Sequence, residues 1–259
     1  MENKKESILC NFRGICMKPT CDGCNIKAWL EENRKSLIKL VSEKDNILNE
    51  TVVNKSQLLD QFIVECVKCD KRKMDSKIMT LDDIFGIHST FYYYGREHLL
   101  INLLPYIKHG VDNNELITVS LSKDIYDQLM ELLDFHGISR SGVKFFPVKN
   151  MVIANNKNGL EGVRQLLSAL LEEVESNKYK GARVIGQPSF AIGETSKEDF
   201  LELEKVLTEA IIGLNASGLC LYDAFDYIHN REFIDEDIIN HSLETHSHLL
   251  YSNSLFKIN

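Results

Sequence analysis

The chain has 259 residues, 44% apolar and 26% charged, with 14 Gly and 4 Pro; this length suits one large or two unequal domains, and such sparse punctuation excludes an all-β sandwich in favour of helices and buried parallel strands. The formal charge of −8 is uneven, with 15 Lys+Arg against 12 Asp+Glu in residues 1–80 and 15 against 26 in the remainder, and no basic stripe interleaved with aromatics supports nucleic-acid binding. No apolar run reaches the roughly 18 residues of a membrane span, and MENKKESILC lacks a signal-peptide core, so a cytoplasmic protein with reduced cysteines and no membrane partner is expected.

Six of the seven cysteines precede residue 70. Cys10, Cys16, Cys21 and Cys24 are spaced C-x5-C-x4-C-x2-C, and Cys66 and Cys69 form a second C-x2-C. In a reducing compartment such pairs point to thiolate ligation of zinc or an iron-sulfur cluster, because two thiolates at that spacing close a turn on one ion. Between them the pattern predicts a helical hairpin. Ile26, Leu30, Asn33, Leu37, Leu40 and Val41 keep helical spacing with one polar interruption. A polar turn covers residues 42–49, and Val52, Leu59, Phe62, Ile63 and Cys66 resume the spacing behind Asn49 as N-cap. The hairpin brings its two ends together, so one arrangement is a clamp of Cys21, Cys24, Cys66 and Cys69. A second uses the local quartet of Cys10, Cys16, Cys21 and Cys24, and a third leaves the thiols reduced and packed.

On the second helix, Ser56 to Asp60 read S-Q-L-L-D. With Leu59 facing the partner helix, Ser56 and Asp60 share one flank and Gln57 lies just beyond. A helical hairpin with this motif, over residues 26–66, resembles the small aspartyl-phosphate phosphatases of sporulation control, the stage-zero-E-like family. The resemblance implies a phosphorylated response regulator as partner and Ser56, Gln57 and Asp60 as catalytic residues. Hydrolysis of an acyl phosphate asks for positioning more than for covalent help. Gln57 would orient the water, Asp60 would accept from it or engage the receiver, and Ser56 would fix the geometry, with magnesium and a lysine supplied by the receiver. The alternative is that the motif is the solvated flank of a structural hairpin.

The charge-dense stretch KCDKRKMDSK, residues 68–77, reads as a linker. The organisation expected is a cysteine-rich segment over 1–25, the hairpin over 26–70, a linker over 71–86 and an α/β domain over 87–259. In that last part short apolar runs alternate with amphipathic helices: HSTFYYY, then 96–110; ELITVS, then 123–137; VKFFPV, then 160–176; ARVIG, then 197–214; GLCLYD; and a last strand at 249–251. The alternation implies βαβ crossovers and a mainly parallel sheet covered on both faces. No Gly-Lys dipeptide and no G-x-G-x-x-G occurs, so neither ATP nor NAD chemistry is expected.

Several features lie in order along this part: His88 opening the first strand, the aromatics Phe91 to Tyr94, Glu97, G-A-R-V-I-G-Q-P-S-F from Gly181, L-E-L-E from Leu201, C-L-Y-D from Cys220 and L-E-T-H ending at His246. Together they resemble the methanogen/methylotroph DcmR sensory domain, over residues 88–251. The resemblance implies a RecA-like fold without a phosphate loop that senses a small organic ligand. Ligands of open parallel sheets sit beyond the carboxyl ends of the strands, which makes Tyr93, Tyr94, Arg96, Gln187, Ser189, Tyr222, Asp223 and Asp226 the pocket candidates. His241, His246 and His248 can be ligands of a metal, but hydrogen-bonded structural roles are preferred, and Cys220 reads as packing.

The combined expectation is an α/β sensor preceded by an all-α hairpin, which throttles a phosphatase acting negatively on a sporulation-type phosphorelay. The alternative is a non-enzymatic small-molecule or redox sensor that binds a receiver or forms a homodimer through the hairpin. A DNA-binding regulator is weakened by the modest local charge.

Overall fold

The computed structural model describes residues 26–44, 46–67, 78–251 and 253–258. Helix α1 (Ile26–Lys44) and helix α2 (Glu50–Val67) form the expected hairpin. Leu30 and Leu37 of α1 pack with Val52, Leu59 and Ile63 of α2, all buried. The polar interruption in α1 is part of this packing, since Asn33 Oδ1 accepts from Lys55 Nζ across the hairpin at 2.6 Å and Asn33 Nδ2 donates to the Trp29 carbonyl at 2.7 Å. Asn49 Oδ1 accepts the Thr51 N–H at 3.0 Å, the cap that the sequence predicts.

The rest of the chain is built on one eight-stranded sheet. Its strands are β1 (Ile78–Met79), β2 (His88–Tyr93), β3 (Leu116–Ser120), β4 (Val143–Phe145), β5 (Ala182–Gly186), β6 (Ala216–Asp223), β7 (His248–Tyr251) and β8 (Ser254–Lys257), in the order β1-β8-β7-β2-β6-β5-β3-β4. Pairing is parallel from β7 through β4, and antiparallel where β8 joins β7 and β1. Every residue of β2, β3 and β5 is buried, the signature of a parallel sheet with helices on both faces. Those helices are α3 (Arg96–Asp112), α4 (Lys123–Phe135), α5 (Val148–Ser176), α6 (Pro188–Glu194), α7 (Lys197–Ile211), α8 (Ala224–His229) and α9 (Glu236–Thr245). None of the helices among the described residues is long and apolar enough to cross a membrane.

Several elements differ from the sequence reading for local reasons, and β1 (Ile78–Met79) falls within the stretch read as a linker. Helix α5 starts at Val148, twelve residues ahead of the expected start, because two helical segments meet at a kink where Gly159 takes φ 56 and ψ −143. Strand β4 stops at Phe145 because Pro147 caps that helix. The turn through Asn253 (φ 61) adds β8, which pairs back on β7.

The sheet is pinned near the start of β5 by Arg183, which is fully buried. Its Nε donates to Glu115, Nη1 donates to the Tyr106 carbonyl at 3.1 Å, and one Nη2 hydrogen reaches the Leu81 carbonyl at 3.2 Å. The guanidinium also stacks 4.6 Å from the Tyr106 ring centre. A Cβ on Gly110 would lie 2.8 Å from Arg183 Nε, so only glycine lets α3 approach it. Removing one partner of a buried pair strands the other. Arg183→Ala should therefore lose about 3–5 kcal/mol in denaturant unfolding, and a loss below about 1 kcal/mol would contradict this account of the pin.

Candidate functional site

Strand β2 ends beside the hairpin, and the turn out of it decides what meets the S-Q-L-L-D flank. Gly95 takes φ 86 and ψ 164 there, a region open to glycine, and a Cβ at that position would lie 3.0 Å from Cδ of Arg34 on α1. Helix α3 starts immediately afterwards, so His98 and Asn102, one turn apart, share a face. His98 Nδ1 accepts the Tyr94 N–H at 3.1 Å. The ring proton is therefore on Nε2, which points at Asp60 Oδ1 at 3.0 Å and at the Ser56 carbonyl at 3.2 Å. Asn102 Nδ2 donates to Ser56 Oγ at 3.0 Å. The imidazole also stacks on Phe91, with ring centres 5.7 Å apart.

Ser56 and Asp60 thus share a flank, as the helical spacing predicts, but that flank faces the sheet domain. They are 1% and 2% exposed, while Gln57 is half-buried and Leu58 is 37% exposed. Asp60 Oδ2 is buried without a hydrogen-bond partner among the described residues. Arg34, bonded twice to Glu31 at 2.7 and 2.9 Å, lies 5.5 Å from the Phe225 ring centre and makes a second contact between hairpin and sheet domain. The hint in the sequence was the pair His98 and Asn102, polar at i and i+4 inside the apolar run HLLINLL. Of the cysteine candidates, Cys10, Cys16, Cys21, Cys24 and Cys69 lie outside the described residues, as does the side chain of Cys66.

The pocket candidates divide into groups at the carboxyl ends of the strands. Gln187, Ser189, Asp223 and Asp226 line an open cleft of about 470 Å³ with Phe225 and Phe233. Tyr93 lies behind it, its hydroxyl accepting from Gln187 Nε2 at 2.8 Å, while Gln187 Oε1 accepts the Ser122 N–H at 3.0 Å. Burial, reinforced by the Asp223 carboxylate, pushes the Tyr93 phenol well above its usual range. Burial also pushes the Asp223 carboxyl up to about 6, although its Oδ1 caps α8 by accepting the Phe225 and Asp226 N–H groups at 2.9 and 3.2 Å. Asp226 ties down the following loop by accepting the N–H groups of Glu232, Phe233 and Ile234. Tyr94 is buried away from the cleft with its hydroxyl 2.5 Å from His229 Nε2. Arg96 is exposed beside Glu97. Tyr222 donates to Glu204 at 3.2 Å.

That last contact belongs to a second cluster, which spacing alone did not suggest. His88, Glu204, Cys220 and His246 are all buried, and each offers a ligand atom within 4.8 Å of the others. Burial pushes the Glu204 carboxyl up to about 7 and the Cys220 thiol up, and it lowers His246 to about 3 and His88 as well. Cys220, read from the sequence as packing, is buried, and its thiol donates to Glu204 Oε1 at 3.3 Å. His241 and His248 are outside this group.

Residues 87–247 match the family model described as MEthanogen/methylotroph, DcmR Sensory domain, and residues 30–68 match the one described as Spo0E like sporulation regulatory protein. No curated protein matches the chain. Among solved structures it is similar to an uncharacterized protein from Pyrococcus horikoshii in complex with an unknown peptide, at 8% identity over 64% of this chain and 76% of that one, with a TM-score of 0.41. It is also similar to a KaiC-like protein from Pyrococcus horikoshii OT3, at 13% identity over 69% of this chain and 80% of that one, with a TM-score of 0.38.

The raised Asp223 carboxyl gives a pH signature. Its ordinary value is 3.8 and its folded value about 6, so the unfolded chain gives up this proton first and stability falls as pH rises through that window. Asparagine keeps the cap acceptor without the charge. Asp223→Asn should gain in Tm relative to the parent between about pH 4 and about pH 7.5. A difference in Tm that stays constant across that range would refute the assignment.

Proposed function

The chain belongs to the methanogen/methylotroph DcmR sensory-domain family, and from that premise we propose that it is a signalling regulator whose sensory domain restrains an aspartyl-phosphate phosphatase carried by the α1–α2 hairpin. The observation that carries this reading is the engagement of Ser56 and Asp60 by Asn102 and His98, at 3.0 Å in each case. In this arrangement two of the three motif side chains are occupied by the sensor, and a receiver cannot reach them. Release of α2 from α3 would free them.

Once free, the hairpin needs only to position. Gln57 holds a water in line with the phosphorus, Asp60 accepts a proton from that water or engages the charged groups of the receiver, and Ser56 fixes the Asp60 carboxylate. Water and acyl phosphate become inorganic phosphate and the free aspartate of the receiver, whose own lysine and magnesium offset the developing charge. The cleft holding Gln187, Ser189, Asp223 and Asp226 takes a small organic ligand. Tyr93 abuts that cleft through Gln187, and its neighbour Tyr94 supplies the N–H that fixes the His98 tautomer. A ligand that shifts the end of β2 therefore shifts the group holding Asp60. The cysteine segment, as clamp or local quartet, is assigned zinc or an iron-sulfur cluster on its spacing.

The test follows acyl-phosphate loss from a phosphorylated sporulation-type response regulator with magnesium. Removing two hydrogen-bonding restraints worth about 1.4 kcal/mol or more together should raise dephosphorylation by the His98→Ala, Asn102→Ala chain roughly tenfold over the parent. Adding Gln57→Ala should return it to the spontaneous rate. Loss no faster than spontaneous in every chain, with receiver binding retained, would replace this reading by the scaffold, in which the polar flank serves docking alone.

A further inference from the structure

The buried cluster of His88, Glu204, Cys220 and His246 is drawn from four elements: the start of β2, the middle of α7, the middle of β6 and the C-terminal end of α9. Three short contacts link the four side chains in a chain, two of them through different oxygens of Glu204. His88 Nε2 lies 3.3 Å from Cys220 Sγ, Cys220 Sγ lies 3.3 Å from Glu204 Oε1, and Glu204 Oε2 lies 3.4 Å from His246 Nε2. The two imidazole ring centres are 3.9 Å apart. A tetrahedral ion held at about 2.0–2.3 Å by nitrogen, oxygen and sulfur requires ligand-to-ligand edges of about 3.3–3.7 Å; these three contacts fall within or close to that range, and the other ligand atoms lie within 4.8 Å of one another.

The surroundings set both imidazoles in the form that ligation needs. The Thr208 hydroxyl donates to the Thr245 carbonyl at 2.5 Å, so its oxygen accepts from His88 Nδ1 at 2.9 Å. His246 Nδ1 donates to the Ser242 carbonyl at 2.8 Å. Both protons are thus on Nδ1, and both Nε2 lone pairs face the carboxylate and the sulfur. Anchoring the far nitrogen of the ring to a carbonyl or hydroxyl is the usual support for a metal-bound histidine. Tyr222 orients Glu204 in the same way, by donating to Oε2 at 3.2 Å. Gly218 leaves room for the ring, since a Cβ there would come 2.9 Å from His88 Cδ2.

Charge accounts for the composition. With a divalent cation bound, two neutral imidazoles, one carboxylate and one thiolate offset its charge, so that the filled buried site is neutral. The mixed nitrogen, sulfur and oxygen donors suit zinc and are a poor match for magnesium or calcium.

We propose that His88, Glu204, Cys220 and His246 bind one divalent zinc-class ion, closing a four-ligand site that ties β2, β6, α7 and α9 together inside the sensory domain. The site uses none of the six cysteines that precede residue 70 and does not depend on the phosphatase reading. Since β2 carries a ligand at its first residue and leads into the His98 contact at its far end, metal loading is also expected to steady the strand that supports the hairpin.

Zinc content and thermal unfolding of the full chain test the proposal. A chain with Cys10, Cys16, Cys21, Cys24, Cys66 and Cys69 all changed to Ser should retain one equivalent of zinc after removal of loosely held metal. Adding Cys220→Ala or His88→Gln should remove it and abolish the rise in Tm that zinc gives the chelator-treated chain. If the six-serine chain does not fold, the comparison is made in the parent, where Cys220→Ala should lose one equivalent while keeping its far-ultraviolet circular dichroism. A folded six-serine chain without zinc would overturn the site, as would a Cys220→Ala chain with the zinc content of its parent.

Discussion

The hydrogen bond from His98 to Asp60 is the constraint around which the two halves of the molecule are arranged. It is made inside a polar seam in which Ser56 and Asp60 of α2 meet Asn102 and His98 of α3, and all four residues are buried. Such a seam is held differently from an apolar interface. A hydrogen bond to a charged group contributes about 1.5–3 kcal/mol, but a buried polar atom left without a partner costs about 1–3 kcal/mol. Asp60 has one oxygen in each condition. The contact is specific in geometry and modest in net strength, and water can take over what α3 provides. An apolar seal of the same area would be harder to open and would recognise the motif less selectively.

The parallel sheet explains why the cleft and the hairpin are neighbours. Because β2, β5 and β6 run in one direction, their carboxyl ends deliver Tyr93, Gln187 and Asp223 to one edge, and the helix that follows β2 carries His98 and Asn102. One strand thus has the buried histidine cluster at its first residue, the wall of the cleft at its last, and the docking face one turn further along the chain. Two contacts connect the end of β2 with the seam: the Tyr94 N–H donates to His98, and the Phe91 ring stacks on the same imidazole.

The elements of the sensory domain were largely legible, because fully buried parallel strands and amphipathic helices have distinct periods, and β2, β3, β5, α3, α4 and α7 follow them. The helical segment ahead of Gly159 was missed, because the backbone leaves the helical region at Gly159 and the pattern restarts at Leu160, where the expected helix begins. The hairpin and its capping Asn49 were legible for the same local reasons. What spacing could not give is which side of α2 is covered, since a polar flank reads the same whether it meets water or His98 and Asn102. The four-residue cluster was beyond local reading too: His88 and Cys220 are 132 positions apart and their contact comes from strand pairing.

The account stands on a direct interaction between Asp60 and His98, so the measurement that tests it most directly is a double-mutant cycle on unfolding free energy, using Asp60→Ala, His98→Ala and the combined chain. A coupling of about 1–3 kcal/mol is expected, as for contacting groups in one hydrogen-bond network. Additivity within about 0.3 kcal/mol would contradict it, because two residues that do not sense each other cannot hold the S-Q-L-L-D flank against the sensory domain.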